Sequence, residues 1–137
     1  MTKKFTSIEQ FLAARFDDSN SDYIKTEAKF MNSFIRRLVQ DHGFSIIAVH
    51  DGEELCPISN NDRFEALDHI FSVDESRLFM RTAKDERVCL FLVLGNGDAT
   101  TIADHNDLTE ETEELIFKVF GESVKSHSEE LYEMNWA

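Results

Sequence analysis

The chain has 137 residues, 42% of them hydrophobic, with twelve Phe, five Gly and one Pro, which supports one folded domain and excludes a disordered or repetitive chain. Its 27 acidic and 14 basic residues leave a net charge of −13, which excludes broad contact with nucleic acid or anionic membrane, because phosphate contacts require Lys and Arg. The longest apolar run, Val88 to Leu94, is far short of the roughly 20 residues that span a bilayer, and MTKKFTSIEQFLAARF at the N-terminus lacks the apolar stretch of a secretion signal, so a soluble intracellular protein is expected.

FTSIEQFLAARF (5–16) predicts a short helix. Thr6 with Glu9, or Ser7 with Gln10, makes a capping box, and Ile8, Phe11, Leu12 and Phe16 share one side at helical spacing. DDSNSD (17–22) is a polar break. A longer helix is predicted from about Ser21 to His42, with Ile24, Ala28, Met31, Phe34, Ile35, Leu38 and Val39 forming an apolar stripe. Gly43 ends it as the left-handed C′ residue. The other side carries Lys25, Lys29, Arg36 and Arg37, the one locally basic surface of the chain.

Phe44 to Val49 reads as a buried strand, Asp51-Gly52 as a hairpin turn, and Glu54 to Ile58 as the returning strand, placed on a sheet edge because Pro57 cannot donate to a ladder. In SNNDRFEALDHIF (59–71), Asn60, Asn61 or Asp62 caps a third helix whose inner face is Phe64, Leu67, Ile70 and Phe71. SRLFMRTA (76–83) alternates, with Leu78 and Met80 on one side and Phe79 and Arg81 on the other. Lys84 to Glu86 turns a second hairpin. RVCLFLVLG (87–95) is apolar throughout, which predicts a central strand covered on both faces. TTIA (100–103) supplies a short edge strand. LTEETEELIFKVFGESVKSHSEELYEM (108–134) is helical, with Thr109 as cap and Leu115, Ile116, Val119 and Phe120 as apolar face. Four of its first six residues are Glu, where carboxylates suit the helix dipole. Gly121 is the point at which this helix kinks or ends, and Trp136 anchors the terminus.

The order is ααββαββα. Strands come in hairpins, so the expected fold is α+β: a small antiparallel sheet of two hairpins with helices packed mainly on one face. A single domain covers 1–137, with an N-terminal helix and polar break in 1–20 and an acidic helical region in 108–137.

Few constellations carry chemistry. Asp98, Asp104, His105 and Asp107 offer oxygen and nitrogen ligands within ten residues, but neither an EF-hand spacing nor HExxH is present, and turn and cap chemistry explains the same residues. Gly95-Asn96-Gly97 lacks the frame of a phosphate loop, and no Lys or Arg lies between Arg87 and Lys118. His50, Asp51, Glu53 and Glu54 sit at a hairpin tip, where water keeps pKa shifts small. Cys56 and Cys89 form no CxxC and read as reduced thiols, Cys89 in the core. A Cys–His pairing across space, such as Cys56 with His50 on the adjacent strand, is a further candidate, though an ordinary hairpin gives the same proximity.

Charge is distributed unevenly. Residues 1–50 carry seven basic and six acidic side chains, and residues 51–137 carry seven and 21. Carboxylates at helical spacing, Glu110, Glu113, Glu114, Glu129, Glu130 and Glu133, are the candidate partner-binding residues.

HGFSIIAVHDGEEL (42–55), EALDHIFSVDESRLFMR (65–81) and ERVCLFLVLGNGDATTIADHND (86–107) resemble a type of small α+β protein of phages and prophages, across roughly residues 40–120. Those proteins show a Gly-aromatic-x-Ile-x-Val-x-Asp-Gly-Glu-Glu hairpin and a strand ending in Gly-Asn-Gly. The family pattern often has Tyr where this chain has His105, which argues against His105 as an essential ligand. No activity is assigned to the family, so the resemblance implies context and not chemistry: the cytoplasm of a bacterial host.

The resulting expectation is a small acidic accessory protein, not an enzyme, that binds an unknown protein partner with a basic surface and inhibits a host enzyme. No cofactor, no metal, no direct nucleic-acid contact and no membrane contact is expected, and the oligomeric state is monomer or homodimer. One alternative is a DNA-mimic inhibitor of a restriction or CRISPR enzyme, whose carboxylates imitate phosphates repeating about every 1.7 Å of duplex axis. Others are a metal-dependent enzyme centred on His50, Asp98, Asp104 and His105, and a purely structural dimer or virion piece.

Overall fold

The apolar stripe of the long second helix sets the architecture. In the computed structural model, which describes residues 5–16, 22–95 and 100–127, this helix buries Ala28, Phe30, Met31, Phe34, Ile35 and Leu38 completely. Full burial of such side chains is worth about 1.5–3 kcal/mol each for the large ones. Among the described residues, helices α1 (Ile8–Arg15), α2 (Asp22–His42), α3 (Arg63–Ile70) and α4 (Glu110–Ser126) accompany strands β1 (Ser45–His50), β2 (Leu55–Pro57), β3 (Glu75–Arg81), β4 (Arg87–Val93) and β5 (Thr101–His105). Their sequence order is α1 α2 β1 β2 α3 β3 β4 β5 α4. The α+β class and the two hairpins are as the sequence predicts, with β5 added at the end of the second. No helix among these residues is long and apolar enough to cross a membrane.

All strand pairs are antiparallel, in the spatial order β2-β1-β3-β4-β5. β3 is therefore the central strand, not β4. The expectation that β4 is covered on both faces also fails. Val88, Leu90 and Leu92 are buried in the core, while Cys89, Phe91 and Val93 are half-buried on the opposite face. Alternation was masked in the sequence because the outward residues of β4 are also apolar. Partial cover comes from the sheet's own side chains: the Arg77 guanidinium lies 5.1 Å from the centre of the Phe91 ring, a cation–π contact between neighbouring strands. Cys89 thus stands on this outer face and not in the core.

Local chemistry fixes each element. Ser7 caps α1 by accepting from the Gln10 amide, while the Gln10 side chain reaches back to the Thr6 amide at 3.0 Å. Asp62, not Asn60 or Asn61, caps α3, accepting from the Phe64 and Glu65 amides. Asn61 serves another purpose. It has φ 52°, and its side-chain oxygen accepts the Ile46 amide at 2.7 Å, next to a bulge at Ile47 that shifts the β1–β3 register. The β1–β2 pairs stop at Ala48 and Pro57, and Asn61 supplies the Ile46 amide with an acceptor beyond them.

Arg15 ties α1 to α3 through Asp68 and, at 2.8 Å, the Ser72 hydroxyl. Beneath it the rings of Phe5, Phe11 and Phe64 pack together, with Phe16 bridging Phe11 to Phe71. α4 packs on α2, with the Phe120 ring edge-on to Phe30 and Phe34 at 5.2 and 5.4 Å. At the far end of the sheet β5 also bulges, at Ala103. The Asp104 carboxylate accepts the amide of His105 at 2.8 Å. Beyond β5, the Asn106 side chain continues the pairing, accepting from the Cys89 amide and donating to the Arg87 carbonyl.

Two glycines behave oppositely. Gly43 ends α2 at φ +72°, and a Cβ there would stand 3.1 Å from the Ala83 Cβ. Gly121 lies within α4, which passes through it without ending, and a Cβ there would meet nothing within 4 Å. Gly43→Ala should lower stability by about 1–2 kcal/mol, the cost of the left-handed conformation, and Gly121→Ala should raise it by about 0.5–1 kcal/mol. Urea denaturation of the two variants checks both signs.

Candidate functional site

α4 begins where β5 ends, and its position is set by one carboxylate from the second hairpin. Glu86 accepts the Thr109 amide at 2.9 Å, together with the Thr109 and Thr112 hydroxyls. The Thr112 hydroxyl, the Thr109 amide and the Thr109 hydroxyl hold the Glu86 carboxyl below its usual value of 4.5. Thr109 is also the N-cap, accepting from the Thr112 amide. The first turn of α4 is therefore already neutralised by a carboxylate of the protein itself, as the positive end of a helix dipole favours.

Ile116, Val119 and Ser123 turn inward from α4, while Glu110, Glu111, Glu113, Glu114 and Glu122 are exposed. Glu110, Glu113 and Glu114 share one outward stripe at three- and four-residue spacing. Next on the stripe stands Phe117, 40% exposed. The His105 ring meets the Phe117 ring edge-on at 5.8 Å. His105 Nδ1 lies 2.7 Å from the Asn106 carbonyl oxygen, which only accepts, so Nδ1 carries the proton. Nε2 then faces the Glu113 carboxylate at 3.6 Å. An aromatic side chain half in water, backed by His105 and bordered by carboxylates, is the most distinctive surface of α4. The sequence pattern missed Phe117 because it lies off the apolar stripe of Leu115, Ile116, Val119 and Phe120. That same offset is the signal that finds it.

Of the predicted partner-binding residues, Glu110, Glu113 and Glu114 lie together. Glu129, Glu130 and Glu133 fall outside the described residues, as do Trp136 and Asp98. The proposed metal group does not converge among the residues described: Asp104 caps a backbone amide, His105 turns to Phe117 and Glu113, and Asp107 is exposed on the rim of a neighbouring groove. This groove, of about 690 Å³, runs between the tip of the second hairpin and the start of α4, with Phe44, Ala83, Leu108 and Leu115 as apolar lining and His42 and Lys84 among its polar groups.

Ligand atoms of Asp51, Glu54 and Cys56 at the first hairpin lie within 4.8 Å of one another. Turn formation accounts for Asp51, whose carboxylate accepts the Glu53 and Glu54 amides at 2.9 Å and is held below its usual pKa chiefly by them. Burial, then the charges of Asp51 and Glu54, push the Cys56 thiol up. Burial also raises Cys89, with Arg77 opposing it. Neither thiol is an activated nucleophile. His50 and Cys56 do not pair: His50 Nδ1 accepts the Gly52 amide, and the Cys56 sulfur lies against the Glu54 carbonyl.

Gly95 leaves β4 over a buried carboxylate. Glu27 of α2, 1% exposed, accepts the Gly95 amide and the Thr100 hydroxyl, both at 2.7 Å. The described part of this loop is thus anchored by an anion of the protein, the reverse of a phosphate cradle, whose amides would face an incoming anion.

Glu27→Ala should cost on the order of 3 kcal/mol, because it strips the half-buried Gly95 amide and the buried Thr100 hydroxyl of their shared acceptor, while Glu27→Gln should cost less by keeping an acceptor oxygen. Chemical denaturation compares the two. Glu86 gives a pH test. Its lowered pKa stabilises the fold fully above pH 4.5, and that contribution disappears as pH falls through the folded value below it. The gap in melting temperature between wild type and Glu86→Gln should be largest at neutral pH and close in acid.

No known protein family, characterised protein or solved structure matches the chain, so the functional reading of α4 rests on its own residues and their geometry.

Proposed function

We propose that the protein works by binding another protein through the outward stripe of α4, with Phe117 as the apolar anchor and Glu110, Glu113 and Glu114 as its charged border. The carrying observation is Phe117, 40% exposed among carboxylates. Exposed single apolar residues are common. Here the ring is additionally held in place by His105, so less side-chain freedom is lost on docking. Aromatic anchors inside a polar rim carry most of the energy at protein interfaces. The complementary partner presents an apolar pocket edged by Lys or Arg.

On this reading the chain is a small accessory protein of the phage type, and its docking occludes a basic working surface of a host enzyme. The chemistry is binding, without a catalytic step. A DNA mimic would rest on the carboxylates alone. The phenyl ring in their midst favours a contact of mixed character, since a duplex backbone offers no such group.

Tagged protein at micromolar concentration, mixed with bacterial lysate, should enrich a specific partner. Phe117→Ala should weaken the purified complex roughly thirtyfold, equivalent to the loss of about 2 kcal/mol expected of an aromatic anchor. Glu113→Lys with Glu114→Lys should slow association and remove its salt dependence. Binding that survives Phe117→Ala but is abolished by the charge reversals would establish mimicry instead. Binding unaffected by either change would refute a role for α4.

A further inference from the structure

The basic side of α2 holds an anomaly unrelated to α4. In a chain with 27 acidic residues, Arg36 and Arg63 both stand beside Asn32 of α2, yet neither is among the ion pairs formed by the described residues. Arg63, the first residue of α3, is held from two sides. Its Nε donates to the Asn32 side-chain oxygen at 2.7 Å, and its guanidinium carbon lies 4.6 Å from the centre of the Phe64 ring. Asn32 and Arg36 are four residues apart on α2, hence neighbours on one face of the helix. Arg36 therefore stands one helical turn from the residue that holds Arg63. Burial, and then the charge of Arg36, depress the basicity of Arg63, against the pull of Asp62. Asp62 is committed to the Phe64 and Glu65 amides.

We propose that Arg36 and Arg63 form a binding site for a phosphate group. The chemistry sets the charge. Two guanidinium groups without carboxylate ion pairs among the described residues call for about two negative charges, which a phosphate monoester carries near neutral pH and a single carboxylate does not. Arg63 is preorganised: with Nε occupied and its plane against Phe64, its terminal nitrogens stay in a fixed fork suited to phosphate oxygens. Arg63 and Phe64 also line a groove of about 650 Å³ between the start of α1 and the loop before α3, with Thr6, Ser59, Asn60 and Asn61. That groove provides room for whatever bears the phosphate. Glu65 lines it too, with its carboxylate turned to the Ser59 amide.

The phosphate can belong to a small molecule or to a phosphorylated side chain, and titration calorimetry with inorganic phosphate and with phosphoserine separates these. One phosphate should bind per chain in buffer matched for ionic strength with chloride, and acetate should bind at least tenfold more weakly. Arg36→Gln and Arg63→Gln should each weaken phosphate at least tenfold, whereas Arg37→Gln should leave it unchanged. In phosphate-free buffer Arg36→Gln should melt at the same or a higher temperature than wild type, because it removes a repulsion and no partner. Tighter phosphoserine binding identifies a phosphorylated protein as the source, and equal binding a free phosphate compound; both support the site. Phosphate no better than chloride, or Arg37→Gln as damaging as Arg36→Gln, overturns it. Arg36→Gln keeps the test valid if Arg63→Gln, which also loses packing on Phe64, fails to fold.

Discussion

Everything else in the fold is arranged around the burial of α2. Its stripe of Ala28, Met31, Phe34, Ile35 and Leu38 has no solvent exposure, and a helix so covered must be enclosed by several neighbours. α4 packs on one side of it, and α1 and α3 on the other, while the sheet supplies the floor through Leu78, Met80, Leu90 and Leu92. The left-handed turn at Gly43 then decides where β1 starts, and so which side of the sheet meets the helices. Because α2 is the shared wall, its two long flanks become separate surfaces: α4 with its carboxylates along one, the Arg36–Arg63 corner along the other.

The acidity of the chain is less of a surface property than its net charge suggests. Several carboxylates serve backbone amides: Glu27 at Gly95, Asp62 at the start of α3, Glu86 at the start of α4, Asp51 in the first hairpin and Asp104 beside β5. Hydrogen bonds to an ionised acceptor are stronger than neutral ones, so these residues hold loops and helix starts in a fold with few glycines. Exposed carboxylates also line α4 at Glu110, Glu111, Glu113, Glu114 and Glu122, and there part of the charge complements the helix dipole.

The elements that depend on spacing along the chain were legible. The apolar stripe of α2, the alternation in β3, the Thr109 cap and the edge position imposed by Pro57 all follow from periods and residue types within one segment. What the sequence hid are side chains that satisfy backbone groups far away. Asn61 reads as a helix cap and in fact accepts the Ile46 amide of β1, fifteen residues back. Glu27 and Glu86 act across 68 and 23 residues. β4 reads as central because its outward residues are apolar, but the sheet places β3 there. For the candidate site, Glu110, Glu113 and Glu114 were legible as a row, whereas Phe117 and the pinned Arg63 required the packing to be known.

The two ends of the sheet share a property with a consequence for assembly. β2 is three residues long and ends in Pro57, which has no amide hydrogen to offer. β5 is bulged at Ala103 and has the amide of His105 claimed by Asp104. An incoming strand would find the hydrogen-bonding template broken at either margin, as edges guarded against stray pairing are. Growth of the sheet into fibrils is thereby obstructed, and recognition by the addition of a strand is ruled out as an economical route. Any partner of the kind proposed would have to read this molecule through side chains, on helices whose exposed surfaces differ sharply in charge.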